Sequence, residues 1–204
     1  MENRKTSFMK RVAMFVMALA VVLATVLIPV PAKAAAADAF VVSSYTMAKG
    51  EKWTLNVYNA DNAKISYKSS KKSVATVSKK GVVTAKKAGS ATITVTVKDS
   101  EGTYQATTKI KVKSKVTTAD VIKRLNAELN LLYMYAYELA DGLGVLEDET
   151  VIEYLNACAE IVELGNAMAK KPSAYSEEDI LEELEAIEAM AQSMVELADE
   201  LDSL

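Results

Sequence analysis

Two kinds of hydrophobic spacing divide the chain. Between residues 53 and 112, apolar positions recur at every second residue, the period of a strand with one buried face. Trp53, Leu55 and Val57 alternate with Thr54 and Asn56, and Ile65 and Tyr67 with Ser66 and Lys68. The clearest run is Ala91, Ile93, Val95 and Val97, which leaves Thr92, Thr94 and Thr96 facing outward. Ile110 and Val112 alternate with Lys109, Lys111 and Lys113. Turn formers stand between the runs: Lys49-Gly50-Glu51, Asn59-Ala60-Asp61-Asn62, Lys80-Gly81, Ala88-Gly89-Ser90 and Asp99-Ser100-Glu101-Gly102. About seven short strands in roughly 75 residues predict a small β-sandwich, with Trp53 as a large part of its core.

After Lys115 the period changes to 3.5, that of a helix with one buried seam. The first seam is Ile122, Leu125, Leu129, Leu132, Ala136, Leu139 and Leu143. The second is Val151, Leu155, Cys158 and Val162, and the third is Ile180, Leu184, Ile187, Ala191, Met194, Ala198 and Leu201. Thr117 or Thr118 is the expected cap of the first helix, with Asp120 in its first turn, and Gly142 and Gly144 end it. The second helix is expected to start near residues 147–149 and to stop at Lys170-Lys171-Pro172. Ser176 caps the third, with Asp179 in a capping-box position. Short connections predict an up-down-up antiparallel arrangement of three helices.

The first 34 residues read as a signal peptide. Arg4, Lys5, Lys10 and Arg11 precede residues 12–30, which carry no charge. Pro29 and Pro31 break any helix there, and Ala32-Lys33-Ala34 is a small-x-small cleavage pattern. Cleavage is expected after Ala34, with Ala36 as second choice; the other reading is an uncleaved anchor. No cysteine follows the apolar run for lipid attachment. The expected organisation is therefore a signal peptide (1–34), a short linker (35–40), a β domain (41–116) and three helices (117–204).

Charge reinforces the division. Residues 41–116 carry 15 lysines and 4 acidic groups, net +11, whereas residues 117–204 carry 4 basic and 21 acidic groups, net −17. This contrast predicts salt-sensitive docking or self-association of the two halves. Histidine is absent and there is one cysteine, which removes the commonest general base and any intrachain disulfide.

The runs Lys49-Gly50-Glu51, Ile65-Ser66-Tyr67-Lys68-Ser69-Ser70, Val74-Ala75-Thr76-Val77-Ser78, Gly81-Val82-Val83-Thr84-Ala85 and Ala88-Gly89-Ser90-Ala91-Thr92-Ile93 stand in this order. With Leu55-Asn56-Val57, they resemble the bacterial immunoglobulin-like domain, group 2, over residues 41–113 or so. The resemblance implies a spacer or binding module of surface proteins, adhesins and extracellular enzymes, with no catalytic residues to transfer. Residues 117–204 resemble no family by motif. The fold class expected for the whole is a multidomain protein, all-β then all-α: a small immunoglobulin-like β-sandwich followed by a three-helix antiparallel bundle.

Few residues suggest chemistry. Lys68, Lys71, Lys72, Lys79, Lys80, Lys86 and Lys87 cluster in the middle loops, and Lys109, Lys111, Lys113 and Lys115 line the last strand. They read either as a polyanion-binding site or as a solvated surface whose lysines keep edge strands from pairing. Asp61, Asp99 and Glu101 are too few and scattered for a calcium cage. Nucleic acid is not expected, because arginine and interleaved aromatics are missing from this region. In the helices, Tyr133 and Tyr137 share a face and, with Tyr135 and Tyr154, read as a partner surface, a ledge packed on the β domain, or a half-buried flank of the core. The acids Glu177, Glu178, Asp179, Glu182, Glu183, Glu185 and Glu188 lie largely off the seam, and Cys158 on it. Neither set suggests a metal, a cofactor or a nucleophile. The leading expectation is a secreted or cell-surface, non-enzymatic interaction or adhesion-type protein. Its β domain serves as spacer or binder, and its helices bind an extracellular protein. The alternative is a binder of cell-wall polymers or glycans through the lysine-rich domain. No membrane contact is expected once the signal peptide is removed.

Overall fold

The computed structural model describes residues 41–202 except 59, 61, 101 and 148. The predicted signal peptide, the linker and two of the three residues weighed for calcium, Asp61 and Glu101, lie outside the described residues. The chain divides into two compact units, and the division falls inside the first helix, after Ala127.

The β unit contains seven strands: β1 (Ser44–Ala48), β2 (Lys52–Thr54), β3 (Lys64–Ser69), β4 (Ala75–Val77), β5 (Val82–Ala85), β6 (Gly89–Lys98) and β7 (Thr103–Lys113). One sheet has the order β1-β7-β6-β3, the other β2-β5-β4. β1 joins β7 in parallel, and the other pairs are antiparallel. Together they form a β-sandwich. Its interior is aliphatic: Met47, Leu55, Val83, Ile93, Val95, Val97 and Ile110 are almost wholly buried. Strict alternation along β6 puts Ala91, Ile93, Val95 and Val97 inside, as their spacing requires.

Trp53 is not the centre of this core. It is half-buried and stacks on Tyr45, with ring centroids 3.9 Å apart and planes at 12°. β2 is the edge of a three-stranded sheet, where a large ring is covered incompletely. That strand also stops at Thr54. Leu55, just past the strand end, still buries its side chain, and its N–H donates to the Gly81 carbonyl at 3.1 Å. Gly81 itself has φ +78°, and a Cβ there would lie 3.0 Å from the Tyr67 hydroxyl and 3.1 Å from the Leu55 carbonyl oxygen. Both conformation and space therefore call for glycine.

Helix α1 (Thr118–Leu143) begins with a closed capping box. The Asp120 N–H donates to Thr117 Oγ1, while the Thr117 N–H and hydroxyl donate to Asp120 Oδ2. Asp120 also pairs with Lys113 at 2.7 Å. Its first turns belong to the β unit, with Ile122 fully buried. Arg124 donates to Glu51 at 2.6 Å and to the Thr46 carbonyl at 3.3 Å, and lies 5.4 Å above the Tyr45 ring.

The helical unit comprises the rest of α1, then α2 (Glu149–Lys170), a 3₁₀ turn (Pro172–Ala174) and α3 (Glu177–Asp202). α1 ends in a Schellman motif. Gly144, at φ +70°, donates to the Asp141 carbonyl, and Val145 to that of Ala140. Ser176 and Asp179 form the capping box of α3. α2 and α3 run antiparallel: Cys158 meets Met194, and Gly165, further along α2, meets Glu183, earlier on α3.

The buried seams depart from the heptads. On α3 they run through Glu183, Ala186, Ile187, Met190 and Met194, with Leu184 and Ala191 half-buried. On α2, Ile161 rather than Val162 is buried. On α1, Asn126, Tyr135 and Ala140 are buried while Leu125, Leu139 and Leu143 are half-buried. A helix turning every 3.6 residues drifts away from a 3.5 repeat, so neighbouring positions take over the seam. The side chains of Ala198 and Leu201 lie outside those described.

Candidate functional site

The outward face of the four-stranded sheet carries lysines and hydroxyls but no acid. Its composition follows from strand alternation. With Ala91 to Val97 and Ile110 to Val112 turned inward, the intervening residues of β6 and β7 must face out. Reading across the sheet, Thr46 and Ser90 flank Lys111, and Ser44 and Thr92 flank Lys109. The next row is Thr107, Thr94 and Lys68; after it come Gln105, Thr96 and Ser66. The last row is Thr103, Lys98 and Lys64. Strands stand about 4.8 Å apart and same-face residues about 6.8 Å apart along a strand. Lys64, Lys68, Lys98, Lys109 and Lys111 are all exposed.

Two features of this face matter. Lys64 and Lys98 are direct cross-strand partners, and like charges placed opposite one another destabilise a sheet. In addition, Lys98, Lys109 and Lys111 stand on β6 and β7, the central strands. Lysines that only keep an edge from pairing belong on edge strands; that account covers Lys64 and Lys68 on β3 and leaves the other three. Glu51, which would weaken the local positive field, is neutralised by Arg124, whereas Lys113 is committed to Asp120.

The seven lysines predicted as one cluster occupy three places. Lys68 belongs to the sheet face. Lys71, Lys72, Lys86 and Lys87 share one end of the β4–β5 hairpin, because the Val74 carbonyl accepts the N–H groups of Lys86 at 2.8 Å and Lys87 at 3.2 Å. Lys79 and Lys80 sit at its opposite end, in a turn where Ser78 Oγ accepts the N–H groups of Lys80 and Val82. All are exposed. Lys64 and Lys98 escaped notice in the sequence because only strand pairing brings them together.

The tyrosines do not form one surface. Tyr154 is only 2% exposed and Tyr135 only 4%, so both are core residues. Tyr154 is thus corrected from a partner surface to an interior position: the face of α2 that carries Val151, Tyr154 and Cys158 turns inward. Tyr137 is exposed, beside exposed Met134, and Tyr133 is half-buried. Tyr133 lines a groove with Asn130 on α1 and Ala159, Val162, Glu163, Asn166, Ala167 and Lys170 on α2.

Two buried groups complete the inventory. Glu183 was expected off the seam, yet it is 4% exposed. Burial pushes its carboxyl up to about 7, partly countered by a hydrogen bond from the Gly165 backbone N–H. Cys158 is fully buried with its thiol 3.8 Å from Met194 Sδ, and burial pushes it up to about 12. Asp99 Oδ1 accepts the Gly102 N–H, a turn-forming role. Among the described residues no cluster of cysteine and acidic side chains could hold a metal ion, and no helix is long and apolar enough to cross a membrane.

Residues 43–110 match the family of the bacterial Ig-like domain (group 2). One similar solved structure comprises domains 4 and 5 of the S-layer protein SbsC: 27% identity, 36% of this chain, 50% of that chain and a TM-score of 0.29. Another is a GH10 xylanase from termite gut that contains a bacterial Ig-like domain: 22% identity, 37% of this chain, 20% of that chain and a TM-score of 0.27. The chain thus spans half the length of the first and a fifth of the second. No curated protein matches.

Proposed function

We propose that this is an extracellular or surface-located bacterial protein that acts by binding rather than catalysis, and that its Ig-like domain holds an anionic polymer such as a cell-wall polyanion. The observation that supports this is the acid-free sheet face. Three of its lysines stand on central strands, and Lys98 opposes Lys64 despite the repulsion. A row of ammonium groups at strand spacing suits a polymer with a repeating negative charge. The hydroxyls of Thr92, Thr94, Thr96 and Thr107 supply neutral hydrogen bonds between them. The family match over residues 43–110 and the leader-like first 34 residues support the extracellular location. The helical unit, with exposed Met134 and Tyr137, is then the part that remains free to meet a protein partner.

The test is cosedimentation of the whole protein with isolated Gram-positive walls, before and after removal of their anionic polymers. Binding should occur at about 0.05 M salt and be released at about 0.5 M, because screening shortens the reach of each charge. A Lys98→Gln, Lys109→Gln, Lys111→Gln variant should lose most of the binding. A Lys71→Gln, Lys72→Gln, Lys86→Gln, Lys87→Gln variant should retain it. Equal binding to stripped walls, or loss only in the loop variant, would refute the reading.

A further inference from the structure

A second, unrelated surface lies on the helical unit. The groove between α1 and α2 has a volume of about 400 Å³, at the small end of ligand pockets, which run from about 300 to 1,000 Å³. Ala159, Val162, Glu163, Asn166, Ala167 and Lys170 recur at steps of three and four residues, so α2 presents one helical face to the groove. The apolar part of the lining is the two alanines, Val162 and Tyr133. The rim is polar and comes from both helices: Asn130 from α1, and Glu163, Asn166 and Lys170 from α2, all exposed. Glu163, Asn166 and Lys170 are three and four residues apart, so they share one helical face.

We propose that this groove binds a short neutral saccharide, with room for roughly one or two pyranose rings. A pyranose has an apolar face of C–H groups and a rim of hydroxyls that both donate and accept. The groove has the matching layout. Tyr133 offers a ring for the C–H face. Asn130 and Asn166 each offer an amide donor and a carbonyl acceptor. Glu163 accepts and Lys170 donates at the periphery. The opposed Glu163 and Lys170 charges make the rim nearly neutral, which suits an uncharged ligand better than the polyanion assigned to the sheet face. This site is independent of that reading and uses none of its residues.

The test is a two-dimensional NMR titration of the whole ¹⁵N-labelled protein with chitotetraose and, separately, with cellotetraose. Saturable shifts should concentrate on Asn130, Tyr133, Glu163 and Asn166. Tyr133→Ala should weaken binding about tenfold or more, while Tyr133→Phe, which keeps the ring, should retain most of it. Because Tyr133 is half-buried, Asn166→Ala, an exposed change, provides a variant that keeps the fold, and it should also weaken binding. Wall cosedimentation of the same variants should be unaltered. Shifts that never saturate with either sugar, or that remain as in the wild type in both Tyr133→Ala and Asn166→Ala, overturn the proposal. So does a response to an Ala-Ala dipeptide in place of the sugars.

Discussion

Arg124 donates to Glu51 across 2.6 Å, linking the start of α1 to the turn after β1 over 73 positions of sequence. Both side chains are mostly shielded, 17% and 25% exposed. The same guanidinium reaches the Thr46 carbonyl and covers the Tyr45 ring, which in turn stacks on Trp53. The pair therefore ties a helix to a sheet through one cation with three kinds of contact. Removing the arginine leaves a partly buried carboxylate without its counter-charge. Arg124→Ala should cost about 2 kcal/mol in chemical denaturation. Glu51→Gln should cost less, and the double variant less than the sum, because both changes remove the same contact. Strict additivity would show that the pair is not coupled.

The Asp120 carboxylate gives the β unit an acid-sensitive joint. Burial alone would raise its pKa, but hydrogen bonds from Lys113 and from the Thr117 backbone and hydroxyl hold it at about 2. A depressed carboxyl stabilises the fold above its unfolded value, and that stability disappears as pH falls through the folded one. Between about pH 4 and pH 2 the β unit should therefore lose on the order of 2 kcal/mol. Asp120→Asn should show a flatter dependence when melting is followed by Trp53 fluorescence; an unchanged slope would assign the effect elsewhere.

Glu183 imposes the opposite dependence on the helical unit. Its folded pKa of about 7 lies above the ordinary value of 4.5, so the folded state holds a proton that the unfolded chain releases. Stability is full below about pH 4.5, falls as pH rises to about 7 and then levels off. The loss is on the order of 3 kcal/mol. Glu183→Gln should remove this slope and stabilise the helices at pH 8. Thermal melts by helical circular dichroism at pH 5 and pH 8 decide it, with equal shifts in wild type and variant counting against the assignment.

The Cys158 thiol should be inert in the folded protein. It is buried, and its pKa near 12 leaves almost no thiolate at pH 8. Iodoacetamide should label the chain only in denaturant, and Cys158→Ala should cost about 1 kcal/mol through a small cavity beside Met194. Rapid labelling of the native protein would place the thiol at an accessible position.

Local signals were legible wherever physics acts over a few residues. The alternation of Ala91 to Val97 showed a strand and its inner face. Thr117 with Asp120 and Ser176 with Asp179 marked helix starts, since a capping box closes within three residues. Gly81 and Gly89 marked turns with positive φ. The helical seams were legible in outline but displaced, because a heptad only approximates the 3.6-residue turn: Glu183 and Met190 took the places expected for Leu184 and Ala191.

What the sequence by itself determined was the order of elements, the polarity of each strand face, the helix caps and the charge contrast between the two halves. All of these depend on neighbours in the chain. Only the tertiary structure decided which lysines share a surface, because Lys64 meets Lys98 through β3–β6 pairing, and Lys109 and Lys111 lie in the interior of the sheet order. It also decided that Trp53 flanks the core, that Tyr154 lies inside it, and that Tyr133 lines a groove. The reason is physical: strand register and helix packing are set by burying apolar surface across long stretches of sequence, and a polar residue's neighbours follow from that burial rather than from its own position.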